Sequence, residues 1–385
     1  MAANSDYRAC AQKIAGLITD QTAWNNYLYK PQPGEPPNFW RIANAFTTLI
    51  DYFVDAQTPN TAIGDSTLQV FTERFDPTDP AKWWYDDYGW WCVAFMQAAK
   101  YTSLVGHSAE VWQGHANDLW KAMLPATQVW QNRPKKRFDG AEPRFAGGCW
   151  NHDFVAGNCE PLEPGTWCGI QNTVTNTQYL VATARMGLDA SAQTTWLNSW
   201  FEVAGEEGLL AWYDQDLVLI RERVSTFADG HTTPGYEPER AWAGDQGILL
   251  GALVEMARLE HDPAKQKYYY KLANAVLGAI PTKLSNAGIL LPWTPADTID
   301  PIFDKDYSTG IGVFMRYLLY VYEHDAILGP VIAAKYPNFI TANANAVCTA
   351  VGKCPPLPDK SPMDSMECRL NQLAVLNAAV AILPD

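Results

Sequence analysis

The stretch WAGDQGILLGALVEMARLE, residues 242–260, places Ile248, Ala252, Met256 and Leu259 on one helical face with Leu249 and Leu253 beside them. It is apolar over most of its circumference, the pattern of a helix enclosed by other helices rather than one facing water. The stretch 264–280 that follows is amphipathic. Tyr269, Leu272, Val276 and Ile280 form one stripe, Lys265, Lys267 and Lys271 lie elsewhere, and Asp262-Pro263 suits an N-cap followed by the first helical position. An inner helix and an outer helix in succession make a hairpin, and the same alternation recurs at 88–102 with 108–131, 170–187 with 190–204, and 308–324 with 326–336. Residues 7–18 with 38–56 form an earlier pair, and a last helix spans 364–382 after Ser361-Pro362-Met363-Asp364. Roughly eleven helices in hairpins, with inner ones recurring about every 65–80 residues, predict an all-α toroid of six hairpins, an (α/α)6 barrel with a cleft at the ends of its inner helices.

The 385 residues contain no Gly/Ser tract, Pro-rich spacer or run of like charge, so one domain over 1–385 is expected. A hydrophobic fraction of 48% supports a large core, while no apolar run approaches the roughly 18 residues of a membrane span. A net charge of −14 argues against nucleic acid and anionic membranes as partners. A neutral polysaccharide or oligosaccharide fits better, since 16 Trp and 18 Tyr exceed what a core needs and some should line a cleft, where their faces stack on sugar rings. The eight Cys contain no CxxC pair and few nearby His, which favours disulfides over zinc, and Cys348 with Cys354 is spaced to close a short loop. Disulfides point to a secreted or cell-surface protein. The Met-Ala-Ala start carries no signal segment, so the alternatives are a signal already removed or a cytoplasmic protein. A monomer is expected, with no cofactor and no metal.

Three segments break the helical pattern: 57–87, 132–169 and 205–241, rich in Gly, Pro, Asp and aromatics, each preceding an inner helix. Long irregular segments in a compact domain are usually functional. Residues Leu217 to Val224 in the third alternate as a short hairpin strand would. At the end of the first stands Trp83-Trp84-Tyr85-Asp86-Asp87-Tyr88-Gly89-Trp90-Trp91, two adjacent carboxylates flanked by aromatics at a helix start. Cleavage of a glycosidic bond needs two carboxyl groups, one to protonate the leaving oxygen and one to attack or stabilise the anomeric carbon. Adjacent side chains at a helix start diverge by about 100°, compatible with the roughly 5–5.5 Å carboxyl separation of retaining enzymes. The competing reading is a capping pair, since Asp is favoured in a first helical turn.

Tyr85-Asp86-Asp87 with Trp90-Trp91 resembles the catalytic Asp-Asp motif of glycoside hydrolase family 76, the endo-α-1,6-mannanase family, and four later segments resemble family motifs in the same order. They are Gly147-Gly148-Cys149-Trp150-Asn151, Asn172-Thr173-Val174-Thr175-Asn176, Trp242-Ala243-Gly244-Asp245-Gln246-Gly247, and Thr309-Gly310-Ile311 through Phe314 and Arg316. The resemblance spans about residues 83–318 and implies a retaining, metal-free endo-glycosidase acting on an α-1,6-mannan-like backbone, with Asp86 as nucleophile and Asp87 as acid/base. Three positions depart from the pattern: Ile170-Gln171 lacks the family's Lys, Gly244-Asp245 replaces its Tyr-Asn, and Thr309 replaces a Lys. These bear on the sugar more than on the chemistry.

Chemistry assigns the supporting roles. The amides of Asn151, Asn172, Asn176 and Gln246 suit hydroxyl pairs, with helix capping as the alternative for Asn172 and Asn176. Trp84, Tyr88, Trp91, Trp150, Trp242 and Trp293 are candidate aromatic contacts, and Asp245 would bind a hydroxyl pair or pair with Arg240. His152 reads as a loop histidine. Other readings are an α-glycosidase or transglycosylase acting on a different glycan, and a non-catalytic glycan-binding cell-wall protein that keeps the cleft. A sugar epimerase would need paired His in the cleft, and a terpene cyclase the third carboxylate that Asp86-Asp87-Tyr88-Gly89-Trp90 lacks.

Overall fold

A computed structural model describes residues 4–29, 39–75, 84–128, 148–149, 151, 171–201, 210–222, 240–294, 306–355 and 363–384. Among them are fifteen helices: α1 Asn4–Thr19, α2 Gln21–Tyr29, α3 Phe39–Ala56, α4 Thr61–Arg74, α5 Tyr85–Lys100, α6 Thr102–Val105, α7 Ala109–Gln128, α8 Thr173–Arg185, α9 Ser191–Phe201, α10 Ala243–Leu259, α11 Pro263–Lys283, α12 Gly310–His324, α13 Leu328–Lys335, α14 Pro337–Thr349 and α15 Ser365–Ile382. Six of them close a ring in which α3 packs on α5, α5 on α8, α8 on α10, α10 on α12, α12 on α15, and α15 back on α3. The outer layer is seated on this ring, α7 against α5, α9 against α8, α11 against α10, α13 against α12, and α1 and α14 against α15. The predicted (α/α)6 barrel is what the chain forms.

Burial explains which helices are inner. In α10 every residue from Ala243 to Ala257 is buried, whereas α11 buries a stripe that includes Tyr269, Leu272, Val276 and Ile280, as its amphipathic pattern requires. The inner helices run in the same direction. Beginnings meet beginnings, as where the Gly312 N–H donates to Asn371 Oδ1 at 2.8 Å. Ends meet ends, as where Gln97 donates to Asp51 and Arg185 approaches Glu255 at 3.6 Å. All six N-termini therefore surround one mouth of the barrel and all six C-termini the other.

Several expectations need correction. The segment 57–87 is not irregular throughout, since it contains α4, whose start is capped by Asn60 accepting from the Ile63 N–H. Helices α2 and α14 are additional. Cys348 does not close a short loop with Cys354. It pairs with Cys10, tying α1 to α14, and Cys354 pairs with Cys368, with Cα atoms 5.7 Å apart in both pairs. Within the third segment, β1 Leu210–Asp214 and β2 Leu217–Ile220 form the short antiparallel hairpin, and β3 Ala241–Trp242 pairs with β6 Trp293–Thr294. A third ribbon, β4 Ser285–Asn286 with β5 Ile289–Leu290, caps the outer end of α11. Most of 132–169 and 223–239 lies outside the described residues.

Close approach of inner helices depends on missing side chains. A Cβ on Gly247 of α10 would stand 2.7 Å from the Cα of Phe314 on α12, a backbone atom that cannot step aside, whereas one on Gly16 of α1 would meet nothing within 4 Å. Overpacking costs typically about 1–3 kcal/mol, while Gly→Ala in an open helical site stabilises by roughly 1 kcal/mol. Gly247→Ala is therefore expected to lower unfolding stability and Gly16→Ala to raise it slightly. Equal effects in urea unfolding would contradict this account of the ring.

Candidate active site

Asp86 and Asp87 stand in the first turn of α5, at the N-terminal mouth. Their position follows from how the helix starts. The Tyr85 N–H donates to the carbonyl of Asn151 at 2.8 Å, and the Trp84 N–H donates to Asp87 Oδ2 at 3.0 Å. Asp87 thus does serve as a helix cap, with one oxygen, and the capping reading and the catalytic reading are compatible. The aromatic neighbours divide by exposure. Tyr88 is buried edge-on to Phe75, Trp91 packs among Phe39, Phe71 and Phe95 in the core, and Trp90 stacks on Trp40. Among the described residues Trp84, 37% exposed, is the large aromatic of this segment that faces solvent.

The two carboxyls occupy different environments. Asp87 is buried and Asp86 only partly so. Burial pushes the Asp87 carboxyl well above the usual carboxylate range, the negative charge of Asp86 pushes it further, the Trp84 N–H pulls it down, and Asp306 raises it again. A buried carboxyl with a raised pKa beside a second, less buried one is the arrangement a proton donor and a nucleophile require.

Other expected site residues lie at the same mouth but spend their polar atoms on the fold. Asn172 caps α8, its Oδ1 accepting from the Thr175 N–H at 3.1 Å. Asn176 clamps Cys149, accepting from its N–H at 2.6 Å and donating to its carbonyl at 2.9 Å. Gln246 does the same for Ile220, accepting from its N–H at 2.9 Å while its Nε2 donates to the Ile220 carbonyl at 2.8 Å and the Trp242 carbonyl at 3.0 Å. Buried extended backbone needs partners, and these amides supply them. Trp242 donates to the Tyr307 carbonyl at 3.0 Å, and Trp293, opposite it in the ribbon, is fully buried. Asn151 and Asp245 are buried, Asp245 in the first turn of α10. Trp150 and His152 lie outside the described residues.

The structure adds groups that the sequence did not single out. Tyr307 donates to Glu222 Oε2 at 2.7 Å, and Glu222 Oε1 accepts from Asn172 at 3.4 Å. Buried Arg41 at the start of α3 holds Asp306 at 3.1 Å, placing a third carboxylate where its charge reaches Asp87. A lone Arg in the apolar run Phe39-Trp40-Arg41-Ile42-Ala43 marks the cation, though nothing local marks Asp306 as its partner. Removing a neighbouring negative charge lowers the pKa of a buried acid. Asp86→Asn is expected to lower the Asp87 pKa, and Asp306→Asn to lower it less, as read by carboxyl 13C NMR titration. An Asp87 that titrates in the ordinary range in the unsubstituted protein would contradict this electrostatic picture.

No protein-family model matches the sequence, and no curated protein matches it. Solved structures do. An inactive variant of an α-1,6-mannanase of glycoside hydrolase family 76 from Salegentibacter sp. HEL1_6, with two consecutive aspartates changed to asparagine and α-1,6-mannotriose bound, is 13% identical with a TM-score of 0.59, over 98% of this chain and 99% of that one. Dfg5 from Chaetomium thermophilum, in complex with glucosamine, is 14% identical with a TM-score of 0.60, over 98% and 90%. An unsaturated glucuronyl hydrolase specific for heparin is 12% identical with a TM-score of 0.56, over 98% and 97%. Likeness at these identities concerns architecture, and the chain has the (α/α)6-barrel fold seen in the α-1,6-mannanases of glycoside hydrolase family 76.

Proposed function

We propose that this chain is a retaining glycoside hydrolase that cuts an α-1,6-linked, mannan-like polysaccharide internally, with Asp86 as nucleophile and Asp87 as acid/base. The observation that carries the reading is the unequal pair at the start of α5, a buried carboxyl with a raised pKa next to a more exposed one. The solved α-1,6-mannanase of the same fold, inactive with two consecutive aspartates changed to asparagine, supports it.

In the first step Asp87 gives its proton to the glycosidic oxygen as the bond to the anomeric carbon breaks, and the Asp86 carboxylate closes on that carbon to form a glycosyl ester. The departing chain leaves as an alcohol. Asp87, now ionised, takes a proton from water, the resulting hydroxide equivalent displaces Asp86, and the sugar is released with its original configuration. Because burial and Asp86 raise the Asp87 pKa, the donor stays protonated above the usual carboxylate range, and turnover falls as pH rises through the raised pKa. Trp84 offers a solvent-facing ring for a sugar face, and the −14 net charge suits a neutral glycan. The two disulfides among the described residues favour an extracellular setting.

A related glycosidase or transglycosylase with a different sugar is favoured by the buried Asp245 and by Thr309, where the family pattern has Asn and Lys. Product analysis on a panel of α-linked glycans separates the two readings. Asp86→Asn is expected to abolish turnover with every leaving group. Asp87→Asn should lose roughly 10²–10⁴-fold on polysaccharide yet far less on an activated aryl glycoside, whose leaving group needs little protonation. Azide should then yield a glycosyl azide of retained configuration. Near-unchanged activity in both variants would reduce the pair to a helix cap.

A further inference from the structure

Toward the opposite mouth the barrel encloses a cavity of about 450 Å³, lined by α3 from Thr47 to Asp55, α5 from Trp90 to Lys100, Arg185 at the end of α8, α12 from Arg316 to His324, and Asn377 and Ala381 of α15. Its rim at Lys100 and Tyr101 is 13 and 14 residues along the chain from Asp87, about 20 Å of helix, while its inner wall reaches Trp90 in the second turn of α5, and neither Asp86 nor Asp87 lines it. The hydrolysis proposed above does not use it.

Its chemistry is specific. Arg316, buried on α12, faces this space, and among the described residues its guanidinium makes one hydrogen bond, to Asn44. A guanidinium carries five donors, so most of them are left to whatever occupies the cavity. Arg185 lies over the ring of Tyr320 at 3.7 Å, and its Nε faces Glu255 at 3.6 Å, an ion pair without a hydrogen bond. Acceptors face the same space on Asp51 and Glu323. Burial pushes Asp51 up to about 7, so near neutral pH this carboxyl both donates and accepts. Trp90, Tyr101, Tyr317 and Tyr320 add aromatic faces to the wall, beside apolar Val54, Val93, Met96 and Leu319.

A ligand with net charge would meet like charges here, because cations and carboxylates share the walls. A hydroxyl donates and accepts at once and uses both sets, while the C–H faces of a sugar ring suit the aromatic wall. The volume lies within the range of small-molecule sites. We propose that this C-terminal mouth is a second binding site, for a neutral mono- or disaccharide, gripped by Arg316 and Arg185 on one side and Asp51 and Glu323 on the other.

The test is calorimetric titration of the full chain with mannose, glucose and N-acetylglucosamine, with glucuronate and glucosamine as charged comparators. At least one neutral sugar is expected to bind saturably below about 50 mM, and the charged comparators at least about tenfold more weakly. Arg316→Gln should weaken binding about tenfold or more by removing charged donors. Ala381→Trp, at the partly buried rim, should abolish it by filling the mouth while leaving the guanidiniums in place. The Asp86→Asn, Asp87→Asn double variant should bind as the unsubstituted chain does, which separates this site from the proposed active site. Absence of saturable binding, equal affinity for the charged comparators, indifference to Ala381→Trp, or loss in the double Asn variant would each overturn the proposal.

Discussion

The structure depends on six inner helices running the same way round a closed ring. Each helix carries a partial positive charge at its N-terminus and a partial negative one at its C-terminus, and parallel packing gathers like ends. Several side chains complement these ends, although Arg41 begins α3 and Asp55 and Glu323 lie in the last turns of α3 and α12. Acids occupy the first turns at one mouth, Asp86 and Asp87 on α5, Asp245 on α10 and Glu367 on α15. Bases occupy the last turns at the other, Lys100 on α5, Arg185 on α8, Arg258 on α10 and His324 on α12. Each placement that complements a helix end contributes about 0.3–1 kcal/mol where it remains solvent-exposed.

The N-terminal mouth is held by polar side chains that serve the backbone. Asn176 and Gln246 each bind both the N–H and the carbonyl of a single residue on an adjoining extended segment, fixing Cys149 and Ile220 against the ring. Asn371 acts likewise between Gly312 and Ser308. A buried peptide without such a partner would cost about 1–3 kcal/mol, so these amides define the rim on which the acid pair stands. Asp87 belongs to the same economy of partners, because the oxygen that receives the Trp84 N–H fixes the carboxyl in place while burial raises its pKa.

The inner helices were legible in the sequence because a helix apolar all round can only be enclosed, and α10 shows that pattern over its whole length. Helices α2 and α14 were not, since Gln21–Tyr29 is short and Pro337–Thr349 is broken up by Asn and Thr. The helix α4 carried a readable signal in Asn60, three residues before Ile63, obscured by the surrounding Gly, Pro and Asp. At the site, Asp86 and Asp87 stood out through their aromatic setting. The actual contacts of Asn172, Asn176 and Gln246 did not, because a capping or clamping amide and a sugar-binding amide have the same sequence, and only the position of Cys149 and Ile220 distinguishes them. Pairs such as Tyr307 with Glu222 and Arg41 with Asp306 join residues far apart in the chain, and no local pattern announces them.

The central claim is that two neighbouring carboxyls, one buried and protonated and one charged, carry out a double displacement. Its stereochemical consequence is independent of any substitution, since two inversions at one carbon restore its configuration while a single attack by water inverts it. Proton NMR of the anomeric signals in the first minutes of α-1,6-mannan cleavage reads that outcome directly. The account predicts that the α-configured reducing end appears first and the β form grows in later by mutarotation. Initial appearance of the β form, or no cleavage of the polysaccharide at all, would contradict it.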